Sequence, residues 1–187
     1  MGLSCTCSCR CEQTSGTGVK QAMNLSPLKR MALLAAGVLI LDQLTKLIVL
    51  TYLGYAEQRV IIPGFFKLVH WGNTGAAWSI FCGRNRLLAV ISLLALVALF
   101  ISRHHFDSHT LLGQLALGLM FGGILGNLFD RLSIGHVVDF LYFYLQRRGG
   151  SEIGFPAFNV ADTAICTGVG LIFLISWQSE ARATESS

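Results

Sequence analysis

The chain contains four long runs of apolar residues, at positions 31–53, 87–102, 111–129 and 160–177. A helix that crosses the hydrocarbon core of a bilayer needs about 20 predominantly apolar residues. Each run is close to that length and carries few charged side chains. The pattern therefore predicts four membrane-spanning helices.

Two shorter patterns lie in the connections between these runs. Positions 59–70 place Pro63 and Gly64 between two short runs of β-branched and aromatic residues, which predicts a β-hairpin. Positions 140–145 are too few to span a bilayer and are rich in aromatic side chains, which favour the membrane interface. We therefore expect this second segment to lie along the membrane surface.

The composition is typical of a membrane protein and excludes several other classes. Hydrophobic residues make up 53% of the chain and charged residues only 13%, about half of the roughly 25% found in soluble domains. Four spans leave little chain for a separate soluble catalytic domain, so any chemistry is expected at or inside the bilayer. The net charge of +4 is spread over single and paired basic residues, so we expect no nucleic-acid partner.

Three regions follow from these patterns. Residues 1–28 are expected to form a disordered tail, residues 29–178 a four-span membrane domain, and residues 179–187 a C-terminal tail. The alternating cysteines at positions 5–11 have no histidine or paired C-x-x-C spacing beside them, so we expect no metal site there. Since the tail also lacks the apolar core of a cleavable signal peptide, a natural start at Met23 is a hypothesis.

The basic residues beside the first span indicate an orientation. Lys29 and Arg30 precede this span, which favours a cytoplasmic N-terminus, and an even number of spans returns the C-terminus to the same side. When Lys29 and Arg30 are included, seven basic residues would lie outside and six inside, so the overall count does not confirm this assignment.

Four aspartates, Asp42, Asp130, Asp139 and Asp162, fall within or beside the spans. A charged side chain at the bilayer centre costs about 2.5–3.5 kcal/mol on insertion scales, so each one needs a partner or a function. Asp42 and Lys46 are four residues apart on one helix face, which predicts a structural ion pair.

Asp139 follows the third span and Asp162 begins the fourth, so both lie on the same side of the membrane. Two carboxylates held close together in a poorly hydrated site do not both ionise easily. One then keeps a proton and serves as an acid, while the other takes a proton from water. This is the arrangement of aspartic proteases and needs no metal. In the alternative interpretation, Asn159 or Asp162 only caps the fourth helix.

Other polar residues accompany this candidate pair. Asn73 follows the hairpin and has the hydrogen-bonding groups to hold a substrate peptide, although a turn before a helix explains it equally well. Asn127 and Asp130 share one helix face, and Asn159 lies three residues before Asp162 and so can orient that carboxylate.

The residues alone leave two other classes of function open. A proton-coupled or ion-coupled transporter would use Asp42, Asp130 and Asp162 as a relay, and it predicts acids spread across the depth of the membrane. A non-catalytic assembly factor would tolerate the replacement of Asp139 and Asp162 by asparagine.

Four segments resemble, in chain order, the signatures of the bacterial lipoprotein signal peptidases, the type II signal peptidases. They lie at positions 42–46, 73–79, 126–140 and 158–165, and the resemblance covers about 29–177. It implies an all-α membrane protein, a four-helix bundle with a small extracytoplasmic β cradle and a surface helix. It also implies an aspartic endopeptidase that removes signal peptides from diacylglyceryl-modified prolipoproteins, just before the lipidated cysteine.

The resemblance further implies roles for individual residues. The catalytic pair would be Asp139 and Asp162, and Asp42 and Lys46 would support the bundle. The residues implied to bind substrate or support the site are Asn73, Gly75, Asn127, Asp130, Arg131, Asn159 and Ala161.

Partners and location also follow from the resemblance. We expect a diacylated prolipoprotein substrate, membrane lipid and globomycin-type cyclic peptide inhibitors as partners, no cofactor, and a monomer. The enzyme would lie in the bacterial inner membrane, with its site near the extracytoplasmic face. Trp78 departs from the family, which more often has phenylalanine there, and its larger ring would narrow the nearby groove.

Overall fold

The computed structural model describes residues 25–75, 83–147, 149 and 151–185 of the chain. The cysteine-rich tail up to position 24 and Trp78 lie outside the described residues.

Four long helices form the bulk of the structure, and each is long and apolar enough to cross a bilayer. The predicted spans are therefore confirmed. The helices are α1 (Pro27–Tyr52), α2 (Asn85–Ser102), α3 (Leu111–Ser133) and α4 (Val160–Glu185). Half of the apolar 18-residue stretch of α3 is buried, against 17–22% of the corresponding stretch in each of the other three helices, so α3 is the central helix.

Local sequence explains where several helices begin and end. Pro27 occupies the first turn of α1, where a missing N–H costs nothing. The Thr110 hydroxyl accepts a hydrogen bond from the N–H of Gly113 at 3.0 Å and so caps α3. Just after α1 ends, Nδ1 of the buried His70 lies 3.0 Å from the carbonyl oxygen of Leu53 and links the helix to the sheet.

Glycines let α3 approach α1 closely. A Cβ atom at Gly122 would lie 2.6 Å from the carbonyl oxygen of Ala35, and one at Gly126 would lie 2.6 Å from Oδ2 of Asp42. Small residues at helix contacts allow backbones to approach inside a membrane, where no hydrophobic force drives helices together. Here they also bring the Asp42 carboxylate against the wall of α3.

A small antiparallel sheet lies beside the bundle. Its strands are β1 (Gln58–Ile62), β2 (Phe66–Asn73), β3 (Val137–Gln146) and β4 (Glu152–Gly154), and they lie side by side in this order. The predicted hairpin is confirmed: β1 pairs with β2, and Gly64 takes a φ of +76° in the turn.

The aromatic segment at 140–145 belongs to β3 and is therefore a strand. The fold is mostly helical and includes a small antiparallel sheet. Phe66 pairs with Phe143 across the strands, with ring centroids 4.9 Å apart, and Phe140 and Tyr144 are buried. The aromatic content therefore reflects cross-strand packing, which stabilises sheets.

A β-bulge lies at the point where the sheet meets the helices. The register between β2 and β3 shifts between Leu68 and Trp71, and Trp71 then lies opposite Asp139. Bulges re-aim side chains and are common next to functional sites. The bulge therefore lies directly beside Asp139 in the sheet.

We expect Gly122→Ala to lower the free energy of unfolding by about 1–3 kcal/mol, the usual cost of overpacking. The new methyl group would overlap the carbonyl oxygen of Ala35 and the side chain of Val38. Gly37→Ala is the control, because a Cβ there meets nothing within 4 Å and alanine favours helix. Thermal unfolding in detergent measures both, and equal losses would contradict the packing argument.

Candidate active site

A cavity of about 900 Å³ opens where the sheet meets the ends of α3 and α4. Its lining includes Asp139 from β3, Asp162 from α4 and Arg131 from α3. Phe155 and Phe158 contribute apolar wall. A concave, largely apolar cavity with a few convergent polar groups is the usual form of a ligand site.

Asp139 is the more buried of the two acids, at 3% exposure. Its carboxylate accepts hydrogen bonds from Nδ2 of Asn73 and Nδ2 of Asn159, both at 2.9 Å. Burial, and then the nearby charge of Asp162, raise the pKa of Asp139 from 3.8 to about 7, although the two amides and Lys46 act in the opposite direction. Near neutral pH this side chain therefore holds a proton for part of the time.

Asp162 lies in the first turn of α4 and is half-buried. Its Oδ1 accepts a hydrogen bond from Nδ2 of Asn127 at 2.7 Å. Its Oδ2 accepts from the backbone N–H of Asn159 at 3.3 Å, while Oδ1 of Asn159 accepts from the N–H of Asp162 at 2.9 Å. This reciprocal pair is a capping box. The helix cap of the alternative interpretation is therefore present, and the same contact also orients the Asp162 carboxylate at the cavity.

Asn159 connects the two acids. Its side-chain amide donates to Asp139 while its backbone N–H donates to Asp162. The residue is fully buried, and the same amide lies 3.2 Å from Oδ1 of Asn127 and 3.3 Å from the carbonyl oxygen of Val138. Two carboxylates from separate parts of the chain are thereby held on either side of one asparagine.

Lys46 lies behind this pair, buried at 2% exposure. Its ammonium nitrogen is 2.7 Å from Oδ2 of Asp42, 2.8 Å from Oδ2 of Asp130 and 3.1 Å from Oδ1 of Asn127. The three acceptors match the three protons of an ammonium group. The structure thus brings Asp42 and Lys46 together as expected, and it adds Asp130 to the pair.

Both carboxylates around Lys46 also bind backbone N–H groups. Asp42 accepts from the N–H of Ala161 at 2.9 Å, in the first turn of α4, where helix donors lack partners. Asp130 accepts from the N–H of Val138 at 3.2 Å, next to Asp139. The charged cluster therefore positions both elements that carry the acids.

Gln43 is a site residue that the sequence reasoning missed. Its Nε2 donates to Oδ1 of Asp130 at 2.9 Å and lies 3.2 Å from Oδ2 of Asp42. Because adjacent helix residues point about 100° apart, the spacing that pairs Asp42 with Lys46 does not mark Gln43. Its only signal is its place beside Asp42 in the chain.

Arg131 joins α3 to the connection between β2 and α2. Its Nη2 donates to the carbonyl oxygen of Gly75 at 3.0 Å, and its Nη1 donates to Oδ1 of Asn85 at 3.2 Å. Gly75 in turn donates its N–H to Oδ1 of Asn73 at 2.9 Å. Arg131 therefore bonds to Gly75 and Asn85, and no pattern in the sequence marks Asn85 as a partner.

The balance of charge in this region favours a retained proton. Within the described part of the chain, the cluster holds four aspartates but only two cations, Lys46 and Arg131. A proton shared by Asp139 and Asp162 reduces the excess negative charge in a poorly solvated place. One carboxylic acid beside one carboxylate, open to a cavity, can protonate a carbonyl oxygen and activate water.

The chain is similar in sequence to known proteins. A family model described as signal peptidase (SPase) II matches residues 34–178. A lipoprotein signal peptidase of Symbiobacterium thermophilum is 43% identical over 142 residues, which cover 75% of this chain and 90% of that protein. The lipoprotein signal peptidase of Syntrophotalea carbinolica is 36% identical over 163 residues, covering 86% of this chain and 98% of that protein.

Solved structures are also similar. A bacterial membrane enzyme determined by the in meso method at 2.3 Å resolution aligns with a TM-score of 0.71 and 33% identity, covering 83% of this chain and 92% of that one. A second bacterial membrane enzyme, determined by the same method at 1.9 Å, aligns with a TM-score of 0.65 and 35% identity.

We expect Lys46→Met to destabilise the protein by about 3–5 kcal/mol, because it leaves the carboxylates of Asp42 and Asp130 buried without their cation. Lys67→Met is the control: the Lys67 side chain is also buried, at 6% exposure, but its partner Glu152, 2.7 Å away, is 36% exposed. The carboxylate that this variant leaves unpaired stays in contact with water, so we expect a smaller loss of stability than for Lys46→Met. Chemical denaturation in detergent compares the two, and similar losses would contradict a special role for the Lys46 cluster.

Proposed function

The chain belongs to the signal peptidase II family, which cleaves the signal peptides of prolipoproteins, and from this premise we propose that it is an aspartic endopeptidase whose catalytic pair is Asp139 and Asp162. The substrate is a diacylglyceryl-modified prolipoprotein, cut just before its lipidated cysteine. No cofactor takes part.

One observation carries this proposal: Asn159 donates one hydrogen bond to each acid at the wall of the cavity. The two carboxylates thus converge on a space large enough for a peptide segment. The two acids, or the elements that bear them, are also held by contacts from Asn73, Asn127, Asp42 and Asp130.

The proposed reaction needs one proton on the pair. In the free enzyme we assign it to Asp139, whose pKa of about 7 lies well above the ordinary value. Asp162 takes a proton from a water molecule, whose oxygen attacks the scissile carbonyl carbon, and Asp139 protonates the carbonyl oxygen. Collapse of the tetrahedral intermediate transfers a proton to the leaving amine, which gives a carboxyl group and a free amino group.

The course of the cavity supports lateral entry of the substrate. Along α4 the lining extends from Asp162 to Thr167, about 7.5 Å at the rise of an α-helix, and this stretch belongs to a membrane-spanning segment. A signal helix can therefore lie against α4 while the diacylglyceryl chains stay in lipid. Remote binding of this kind orients the scissile bond at the acids. Globomycin-type cyclic peptides would compete for the same cavity.

The location of the site supports the expected topology. Four crossings place both termini on one side of the membrane. The acids lie where α3 ends and α4 begins, at the opposite end of the bundle from the start of α1. We assign the termini to the cytoplasm and the site to the extracytoplasmic face of the inner membrane, with the protein acting as a monomer.

The transporter alternative fits the structure less well. It requires acids at separate depths, whereas Asp42 and Asp130 both contact Lys46, and Asn127 links Lys46 directly to Asp162. The acids form one cluster at one end of the bundle, which suits a single reaction centre.

We expect Asp139→Asn and Asp162→Asn each to reduce cleavage by about 10²–10⁴-fold, the usual contribution of general acid–base catalysis. A gel-shift assay with purified enzyme and a diacylated prolipoprotein measures the rate. Asp107→Asn is the matched control, since this exposed aspartate lies in the turn between α2 and α3 with a φ of +44°, which asparagine tolerates.

The control variant should cleave at the wild-type rate. Full activity in both dyad variants would refute the assignment of the pair, whereas an absence of cleavage by the unmodified protein would favour the non-catalytic assembly factor.

We expect the cleavage rate to fall as the pH rises through about 7, because the shared proton is then lost. The rate should also fall at low pH, when both acids are protonated, and the two apparent pKa values belong to the pair. A flat profile between pH 5 and pH 9, roughly the range that spans a pKa of about 7, contradicts a shared proton.

Stability should follow the same titration. The pKa of Asp139 is raised in the folded state, so its contribution to stability is complete below 3.8 and is lost as the pH rises through about 7. The variant Asp139→Asn lacks this component, so its stability should depend less on pH over that interval.

A further inference from the structure

Asn85 forms a reciprocal contact with Arg131 that joins the start of α2 to the end of α3. Its Nδ2 donates to the backbone carbonyl oxygen of Arg131 at 2.9 Å, and its Oδ1 accepts from Nη1 of Arg131 at 3.2 Å. An amide side chain can donate from its nitrogen and accept at its oxygen at the same time. Asn85 therefore restrains both the backbone and the guanidinium of one residue.

The guanidinium of Arg131 in turn binds the segment that follows β2. Nη2 of Arg131 donates to the carbonyl oxygen of Gly75, and the N–H of Gly75 donates to Oδ1 of Asn73. A further bond at 3.3 Å, from the N–H of Gly83 to Oγ1 of Thr74, ties together the two ends of the connection that the structure describes.

The last bond in this series reaches the proposed catalytic pair. With Oδ1 of Asn73 occupied by Gly75, the amide is oriented so that Nδ2 points at Oδ2 of Asp139, at 2.9 Å. Rotation of this amide would replace the donor with an oxygen facing a carboxylate.

We infer that Asn85 is a positioning residue for the peptidase reaction: it orients Arg131 and so holds the turn from which Asn73 reaches the catalytic pair. The inference rests on the proposed function. It assigns Asn85 no contact with substrate, because the residue acts only through Arg131.

A purely structural role is the alternative to be excluded. The carbonyl of Arg131 is among the last four of α3, which have no partner within the helix, and Asn85 satisfies it. If this were its whole role, removing Asn85 would lower stability without a specific effect on the chemical step.

We expect Asn85→Ala to lower kcat about tenfold, the effect of losing one hydrogen bond to a charged group, with KM changed less than about twofold. The control is Arg86→Ala, an exposed neighbour on the same helix turn. Cleavage of a diacylated prolipoprotein is measured alongside thermal unfolding. Asn85→Gln, which keeps donor and acceptor, should retain most of the kcat.

The pH profile gives a second readout. The charged groups that face Asp139 are Asp162 on α4, Lys46 on α1 and Arg131 on α3. Since the Asn73 hydrogen bond lowers the pKa of Asp139, weakening it in Asn85→Ala should move the alkaline limb of the activity profile to higher pH. Loss of helix capping alone would leave this limb in place.

A double-mutant cycle with Asn73→Ala tests the route. If Asn85 acts through Asn73, the double variant should be little slower than Asn73→Ala alone, whereas independent effects would multiply. Should Asn85→Ala fail to fold, Asn85→Asp separates the two contacts, because it loses the donor to the carbonyl oxygen of Arg131 and keeps the acceptor for the guanidinium. It should retain most of the kcat if Asn85 acts by orienting the guanidinium, and a tenfold loss of kcat would contradict the inference.

Multiplying effects in the cycle, or a wild-type kcat in Asn85→Ala, would overturn the inference. Asp139→Asn is assayed in the same series to separate the two hypotheses. If that variant still cleaves, the proposed catalytic pair fails; if it is inactive while Asn85→Ala behaves as wild type, only the role of Asn85 fails.

Discussion

The arrangement of the helices around the site depends on the buried ammonium group of Lys46. Lys46 lies in a membrane-spanning helix, where an unpaired charge is very costly, and it is compensated by Asp42 and Asp130. Each of these carboxylates also accepts a hydrogen bond from a backbone N–H: that of Ala161 at the start of α4, and that of Val138 in β3. Satisfying one cation therefore fixes three helices and the strand that bears Asp139.

The contacts that stabilise the start of α4 are also contacts that the proposed reaction needs. The capping box between Asn159 and Asp162 satisfies the start of α4 and at the same time aims the carboxylate at the cavity. Asn127 likewise accepts from Lys46 while donating to Asp162. Capping and catalysis are thus not alternatives here, since the structural bond provides the orientation that the proposed reaction needs.

How far the sequence predicts this molecule depends on the range of each interaction. The four spans and the Pro63–Gly64 hairpin follow from local hydropathy and turn chemistry, and helical spacing pairs Asp42 with Lys46. The pairing of β2 with β3 joins segments about 70 residues apart, and no pattern within either segment predicts it. Asn85 is recognised only through its contact with Arg131, 46 positions away, so no spacing rule could have found it.

Among the residues that the structure describes, neutral amides rather than cations contact the two acids directly, and this has a physical consequence. A cation in contact with Asp139 would favour its ionised form strongly and depress its pKa. The amides of Asn73 and Asn159 orient the carboxylate with a weaker bias, so burial still raises the pKa to about 7. The ammonium group of Lys46 forms its ion pairs with two other carboxylates. The bundle can therefore hold a fixed positive charge close to the acids without removing the proton that peptide hydrolysis requires.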